Sequence, residues 1–192
     1  QKQEATVLFS DIRGFTSMSE TMEPEEVVTV LNEYFGEMVE EIFDNSGILD
    51  NFIGDGIIAV FGPPLKDADQ AARAVLSATG MLRRLDSINV TRAGRGQKPL
   101  RIGIGIHTGP LVAGNIGSPR RLAYTHIGDT VNTAARVESL TKELGEKLLI
   151  TATTRAKLGD SVKVRALGEH AVRGRQSIEL FGLASVGPQE TD

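Results

Sequence analysis

Two aspartates carry the first hint of chemistry. Asp11 closes the apolar run ATVLFS that begins at Ala5, and Asp55 sits in NFIGDGIIAVFG at a Gly54-Asp55-Gly56 tip. The first run, followed by Gly14, reads as a buried strand, and two apolar runs around a Gly-Asp-Gly tip read as a hairpin. If that strand lies beside the hairpin in one sheet, the carboxylates become neighbours, and paired carboxylates suit a hard divalent cation that also takes phosphate oxygens. The alternative is ordinary turn chemistry, since Asp-Gly is a favoured turn pair. A second pair, Asn132 and Arg136, lies in DTVNTAARVESLTKEL, and the spacing of four puts both side chains on one helix face. Asn is a poor residue for a helix interior unless its amide is used, which argues that this face does more than carry a surface ion pair.

These residues need a scaffold. From Pro24, apolar residues at Val27, Val28, Leu31, Tyr34, Phe35, Met38, Val39 and Ile42 recur every three or four positions, with Glu25 and Glu26 in the first turn and Gly47 beyond the end. That pattern predicts an amphipathic helix. ILDNFI and GIIAVFG predict the hairpin that places Asp55 at its apex. A second helix is predicted over 67–85, on Ala71, Ala72, Val75, Leu76, Ala78 and Leu82, with Asp67 or Asp69 serving its start. NVTRAGRGQK, residues 89–98, reads as a mobile polar loop. In LRIGIGIH, Ile102, Ile104 and Ile106 share one strand face, while Gly103 and Gly105 leave the other bare for close approach of a helix or ligand. PLVAGNIG and RLAYTHIG read as the arms of a long hairpin around Ser118-Pro119-Arg120, with a helix after Gly128. KLLIT, a helical turn in TATTRAKLG, VKVRAL and SIELFGLAS complete the chain. The order βαββαβ plus further elements predicts an α+β protein with a ferredoxin-like core and additional C-terminal strands and helix. One domain is expected over 1–192, with a folded core over 5–184 and a frayed tail over 185–192.

Composition narrows the function classes. With 192 residues, 40% hydrophobic and 24% charged, the chain suits one large domain rather than a disordered segment or a coiled coil. Its 21 basic against 25 acidic residues argue against a broad nucleic-acid face. Arg120 and Arg121, and Arg173 and Arg175 around Gly174, remain suited to small anions. The absence of cysteine excludes a disulfide scaffold, a thiol nucleophile and a cysteine-based zinc site. No apolar stretch approaches the roughly eighteen residues of a membrane span. A soluble domain cut from a longer protein is expected, since the chain lacks an initiator Met.

Four blocks raise a family resemblance. FSDIRGFT (9–16), NFIGDGIIAVFG (51–62), GIHTGPLVAGNIG (105–117) and YTHIGDTVNTAARVES (124–139), in that order, resemble the class III nucleotidyl cyclase catalytic domain over nearly the whole chain. The resemblance implies conversion of a nucleoside triphosphate to its 3′,5′-cyclic monophosphate and pyrophosphate, on a ferredoxin-like core, in head-to-tail dimers with sites at the interface. It implies that Asp11 and Asp55 hold two Mg²⁺ or Mn²⁺ ions, one of which activates the ribose 3′-hydroxyl, with a carbonyl from Ile12 as a further ligand. The backbone through Ile12, Arg13, Gly14, Phe15 and Thr16 would wrap the β- and γ-phosphates. From the partner protomer, Asn132 would orient the ribose and Arg136 would stabilise charge on the phosphoryl oxygens. Arg173 falls where the family usually has a lysine for the terminal phosphates, with Arg175 as runner-up.

The base-recognition positions depart from the family pattern. Adenylyl members usually carry Lys before FIGD, where this chain has Asn51; Thr125, at the second position, fits a bacterial adenylyl subgroup. Guanylyl members usually carry Glu and Cys or similar there. The resemblance therefore favours a homodimeric adenylyl cyclase acting on ATP, located in the cytoplasm and regulated by other parts of a parent chain. Guanylyl cyclase and a catalytically silent regulatory partner are the alternatives, though a silent partner would usually lose Asp11, Asp55, Asn132 or Arg136. Gly103 stands where many members place a phosphate-binding Arg, and Arg101 lies two residues earlier on the same strand face. His107 reads as structural rather than as a general base. The GIGIHTG glycines fail the G-x-G-x-x-G spacing of a dinucleotide site.

Overall fold

The computed structural model describes residues 2–64, 67–174 and 176–186. Along these the chain forms β1 (Lys2–Ile12), α1 (Phe15–Ser19), α2 (Pro24–Asp44), β2 (Ile48–Ile53), β3 (Gly56–Phe61), α3 (Gln70–Gly94), β4 (Ile102–Ser118), β5 (Arg121–Ile127), α4 (Asp129–Leu144), β6 (Leu148–Thr151), α5 (Ala152–Arg155), β7 (Val162–His170) and β8 (Ile178–Val186). The strands make a sheet of order β2-β3-β1-β4-β6-β8-β7, with β5 paired to β4 off that path. The first four in this order are the antiparallel ferredoxin-like core, and β6 joins β4 in parallel.

Alternation along the strands sorts residues into two layers. Leu8, Ile104 and Ile106 face α2 and α3, where they pack against Tyr34, Met38, Ile42, Val75, Ala78 and Met81. Each of the Leu, Ile, Val and Met side chains taken from water contributes about 1.5–3 kcal/mol. Val7, Val60, Leu111 and Ala113 face the opposite way, toward Ala134 of α4.

Gly103 and Gly105 explain how α4 comes so close. A Cβ at Gly105 would lie 2.5 Å from the Ala134 carbonyl oxygen and nearer still to the Glu138 nitrogen. A Cβ at Gly103 would lie 2.5 Å from Glu138 Oε1. The bare strand face expected from sequence is therefore filled by a helix.

Three expectations need correction. The segment read as a mobile loop over 89–98 is helical through Gly94, because its polar side chains are occupied by the chain that follows. Asn89 Nδ2 donates to the Leu100 carbonyl at 2.8 Å and Asn89 Oδ1 accepts from Leu100 N at 2.7 Å, while the buried Arg92 donates from Nε to the Lys98 carbonyl at 2.8 Å. In α2 the buried line is Val30, Tyr34, Met38 and Ile42; Val28, expected on the apolar face, is exposed. At the start of α3, Asp69 is the N-terminal flanking residue but makes no side-chain cap, and Asp67 instead accepts from Asp69 N at 2.9 Å. Residues 187–192 of the expected tail, and Arg175, lie outside the described residues.

Candidate active site

The C-terminal end of β1 delivers the first carboxylate. Asp11 pairs with Gly103 in the register of β1 and β4, on the sheet face covered by α4. The β2–β3 hairpin delivers the second: Ile12 N donates to Asp55 Oδ2 at 2.8 Å, so the two aspartates expected to be neighbours are brought together. Burial raises the Asp55 pKa above the ordinary carboxylate value, and the negative charge of Asp11 adds to the rise, while the N–H of Ile12 opposes it. Ile12 itself is buried and faces the α2 layer.

A third carboxyl, which the sequence reading did not single out, crowds this corner. Glu138 is buried on the inner face of α4 and hydrogen-bonds to Asp11. Burial, that hydrogen bond and the charge of Asp11 push the Glu138 carboxyl far above its ordinary range, against the pull of Arg13. The Arg13 guanidinium is anchored to Thr141 Oγ1 at 3.1 Å and to the Glu146 carbonyl at 2.7 Å. Beneath the hairpin, Tyr34 is fully buried with its hydroxyl 3.4 Å from Ser10 Oγ, and burial raises its phenol pKa. Among the described residues, no three His, Cys, Asp or Glu side chains converge into a ready metal cage. Two carboxylates with a deficit of positive charge suit a hard cation that completes its shell with water and phosphate oxygens.

Beyond Asp11 the chain turns through Gly14, whose φ of 65° is the left-handed conformation a glycine adopts freely, and enters α1. Phe15 is buried in the core as the anchor of this turn, and Thr16 is exposed. The short helix was not foreseen; its signal was no more than one apolar residue after a glycine.

The outer side of α4 carries the other expected pair. Asn132 is exposed and Arg136 half-buried, with Arg136 Nη1 3.8 Å from Asp129 Oδ1. At about 100° per residue, Arg136 points about 160° away from Glu138 around the helix. The Arg136 guanidinium lies against Gly174, within 3.6 Å of where a Cβ would stand, which brings the exposed Arg173 into its neighbourhood. Within one chain, then, α4 stands between the carboxylate corner and the Asn132–Arg136 face.

Asn51 is exposed on β2, and Thr125 is half-buried on β5. Arg101 is exposed just before β4, with its carbonyl accepting from Arg13 N at 2.7 Å. Gly103 is required by α4 packing, so this sheet position has no room for an arginine. His107 is buried with Nδ1 2.9 Å from Thr151 Oγ1, in a network that runs on through Thr154, Thr108 and Thr6. That placement agrees with the structural role expected of it.

Comparison with known proteins defines the class. The family model described as "Adenylate and Guanylate cyclase catalytic domain" matches residues 1–185, and the chain belongs to that family. An adenylate cyclase of Anabaena cylindrica is 43% identical over 184 residues, covering 92% of this chain and 36% of that protein. Among solved structures, the guanylyl cyclase Cya2 superposes with a TM-score of 0.90 at 41% identity, covering 97% of this chain and 94% of that one. The adenylyl cyclase CyaB from P. aeruginosa superposes with a TM-score of 0.89 at 34% identity, covering 96% and 95%. The chain spans between 8% and 36% of the length of the relatives named as adenylate cyclases that it matches. The family is metal-dependent in general, and no helix among the described residues is long and apolar enough to cross a membrane.

Proposed function

We propose that this domain is an adenylyl cyclase that converts ATP to 3′,5′-cyclic AMP and pyrophosphate at two equivalent sites shared across a head-to-tail homodimer. The observation that carries the reading is the placement of both half-sites in one chain on opposite sides of α4. Asp11 and Asp55 cannot meet Asn132 and Arg136 of the same helix without passing through it, whereas a second copy can present its α4 to the corner of the first. Phe52, Ile53, Val112, Ile116, Tyr124 and Ile127 expose apolar surface on β2 and the β4–β5 arm, the kind of patch that a partner covers.

In this reading Asp11, Asp55 and the Ile12 carbonyl hold two Mg²⁺ or Mn²⁺ ions. Bound there, the ions would lower the pKa of the ribose 3′-hydroxyl and neutralise charge on the triphosphate. Backbone amides from Gly14, Phe15 and Thr16 cradle the β- and γ-phosphates. From the partner, Asn132 holds the ribose so that its 3′-oxygen is in line with the α-phosphorus, Arg136 stabilises the equatorial oxygens, and Arg173 takes the terminal phosphates. Asn51 and Thr125 face the base. ATP is favoured by Thr125 and by relatives named as adenylate cyclases. Guanylyl cyclase is the second reading, supported by the likeness to Cya2 and by Asn51 in place of lysine. Regulation by further segments of a longer parent chain in the cytoplasm belongs to the same proposal.

Product formation from ATP and from GTP, each with Mn²⁺ and with Mg²⁺ at several protein concentrations, tests this. Cyclic AMP with specific activity rising with concentration is expected; cyclic GMP alone would transfer the assignment to the second reading. No product from either nucleotide would make the domain a silent partner.

A further inference from the structure

Asn51 and Thr125 lie on strands that do not pair with each other, since β2 is bonded to β3 and β5 to β4. They are joined through the residues beside them. His126 Nδ1 lies 2.5 Å from Asp50 Oδ1, and the two side chains are sealed, only 1% and 7% exposed. Asp50 is the extra residue of a β-bulge: Leu49 opposes Ala59 and Asn51 opposes Ile58, leaving Asp50 without a strand partner. A bulge re-aims the side chain it carries, and here that side chain reaches β5.

The imidazole is not there for packing alone. Among the described residues, His126 Nε2 is buried with no hydrogen-bond partner, a penalty that an apolar side chain in the same space would avoid. What the ring adds over an apolar side chain is the Nδ1–H that donates to the Asp50 carboxylate. The Tyr124 ring stands edge-on to it, with centroids 5.6 Å apart, and flanks Thr125 on the other side.

The chemistry of the neighbours gives this pair its purpose. Adenine offers an acceptor at N1 and a donor at its exocyclic amine, and guanine offers the reverse at N1 and O6. An Asn amide and a Thr hydroxyl each donate and accept, so Asn51 and Thr125 can satisfy either base by reorienting. Two such residues discriminate by position rather than by type, and position is what a buried brace between their strands controls.

We propose that the buried Asp50–His126 pair is a specificity-setting brace that fixes Asn51 against Thr125 and thereby sets the preference between adenine and guanine nucleotides. The inference rests on the reading that Asn51 and Thr125 face the base. Both members of the pair are positioning residues, because neither reaches the ligand.

Calorimetric titration with 3′-deoxy-ATP and 3′-deoxy-GTP, which lack the attacking hydroxyl, reads affinity without turnover. In His126→Val and in Asp50→Leu the ratio of the two affinities is expected to move toward one by about fivefold, the scale of one displaced hydrogen bond. Asp50→Asn, which keeps an oxygen to accept from Nδ1–H, is expected to retain the wild-type ratio. An unchanged ratio in folded His126→Val overturns the inference, and that variant decides alone if Asp50→Leu does not fold. A wild-type ratio already at one, or no binding of either nucleotide, overturns it too. Asn51→Ala separates the inference from its premise. If it shifts the ratio while the brace variants do not, the brace is wrong and the base assignment stands; if it leaves the ratio unchanged, both fall.

Discussion

The carboxylate corner and the outer face of α4 are built in opposite ways. At the corner, Asp11, Asp55 and Glu138 are packed so closely that burial and mutual charge raise the pKa of Asp55 and of Glu138. On the outer face, Asn132 stands exposed and Arg136 Nη1 lies 3.8 Å from Asp129 Oδ1. One region is sterically finished and short of positive charge; the other is open and lightly restrained. On the proposed function, the difference is that of two half-sites, one for cations and phosphate and the other for the surface of a second copy.

The largest expected effect breaks the first region. Asp55→Ala is expected to lower kcat by about a thousandfold or more with either metal, because a paired carboxylate is lost where charge is already critical. Arg136→Ala, on the open side, is expected to cost about 10²–10³ in kcat with little change in melting temperature, as removal of one transition-state donor does. Steady-state kinetics beside thermal melts would separate these from misfolding. Gly105→Val tests the packing that keeps the two regions apart. Its side chain would collide with the α4 backbone at Ala134 and Glu138, and a loss of about 1–3 kcal/mol is expected in denaturant unfolding.

A smaller effect sharpens the contrast through pH. Glu138 has a folded-state pKa raised above its ordinary 4.5, so the folded state binds the extra proton and stability falls as pH rises above that value through neutrality. Metal-free protein is expected to melt at progressively lower temperature from pH 5 to pH 8, and Glu138→Gln to flatten that slope; melting curves across the range check both. The smallest effect is on base choice. Asn51→Lys is expected to raise the ATP over GTP preference severalfold, read as a ratio of kcat/KM values, and an unchanged ratio would remove Asn51 from the base site.

Much of the scaffold was legible because it depends on local pattern. Alternation in LRIGIGIH and the period of α2 follow from burial on one face, and the Gly-Asp-Gly tip is local turn chemistry, so β4, α2 and the hairpin emerged from the sequence. The far end of α3 did not, since Asn89 and Arg92 look like loop residues until Leu100 and Lys98 are seen to use their polar atoms. The site divides in the same way. Asp11 with Asp55, and Asn132 with Arg136, could be paired from strand ends and helical spacing. Glu138 and the Asp50–His126 pair could not, because an acid on a buried helix face or a bulged aspartate gains meaning only from a residue distant in the chain. The one signal for Glu138 was its place beside Val137 on the packed side of the helix.

The most direct test of the two half-sites is complementation. Asp55→Ala and Arg136→Ala, each nearly inactive alone, are mixed in equal amounts and assayed for cyclic nucleotide. Random reassortment makes half the dimers mixed, each with one intact site of two, so recovery of about a quarter of wild-type activity is predicted. Activity that stays at the level of the separate variants, with mixed dimers shown to form, would contradict a site shared between two copies of α4.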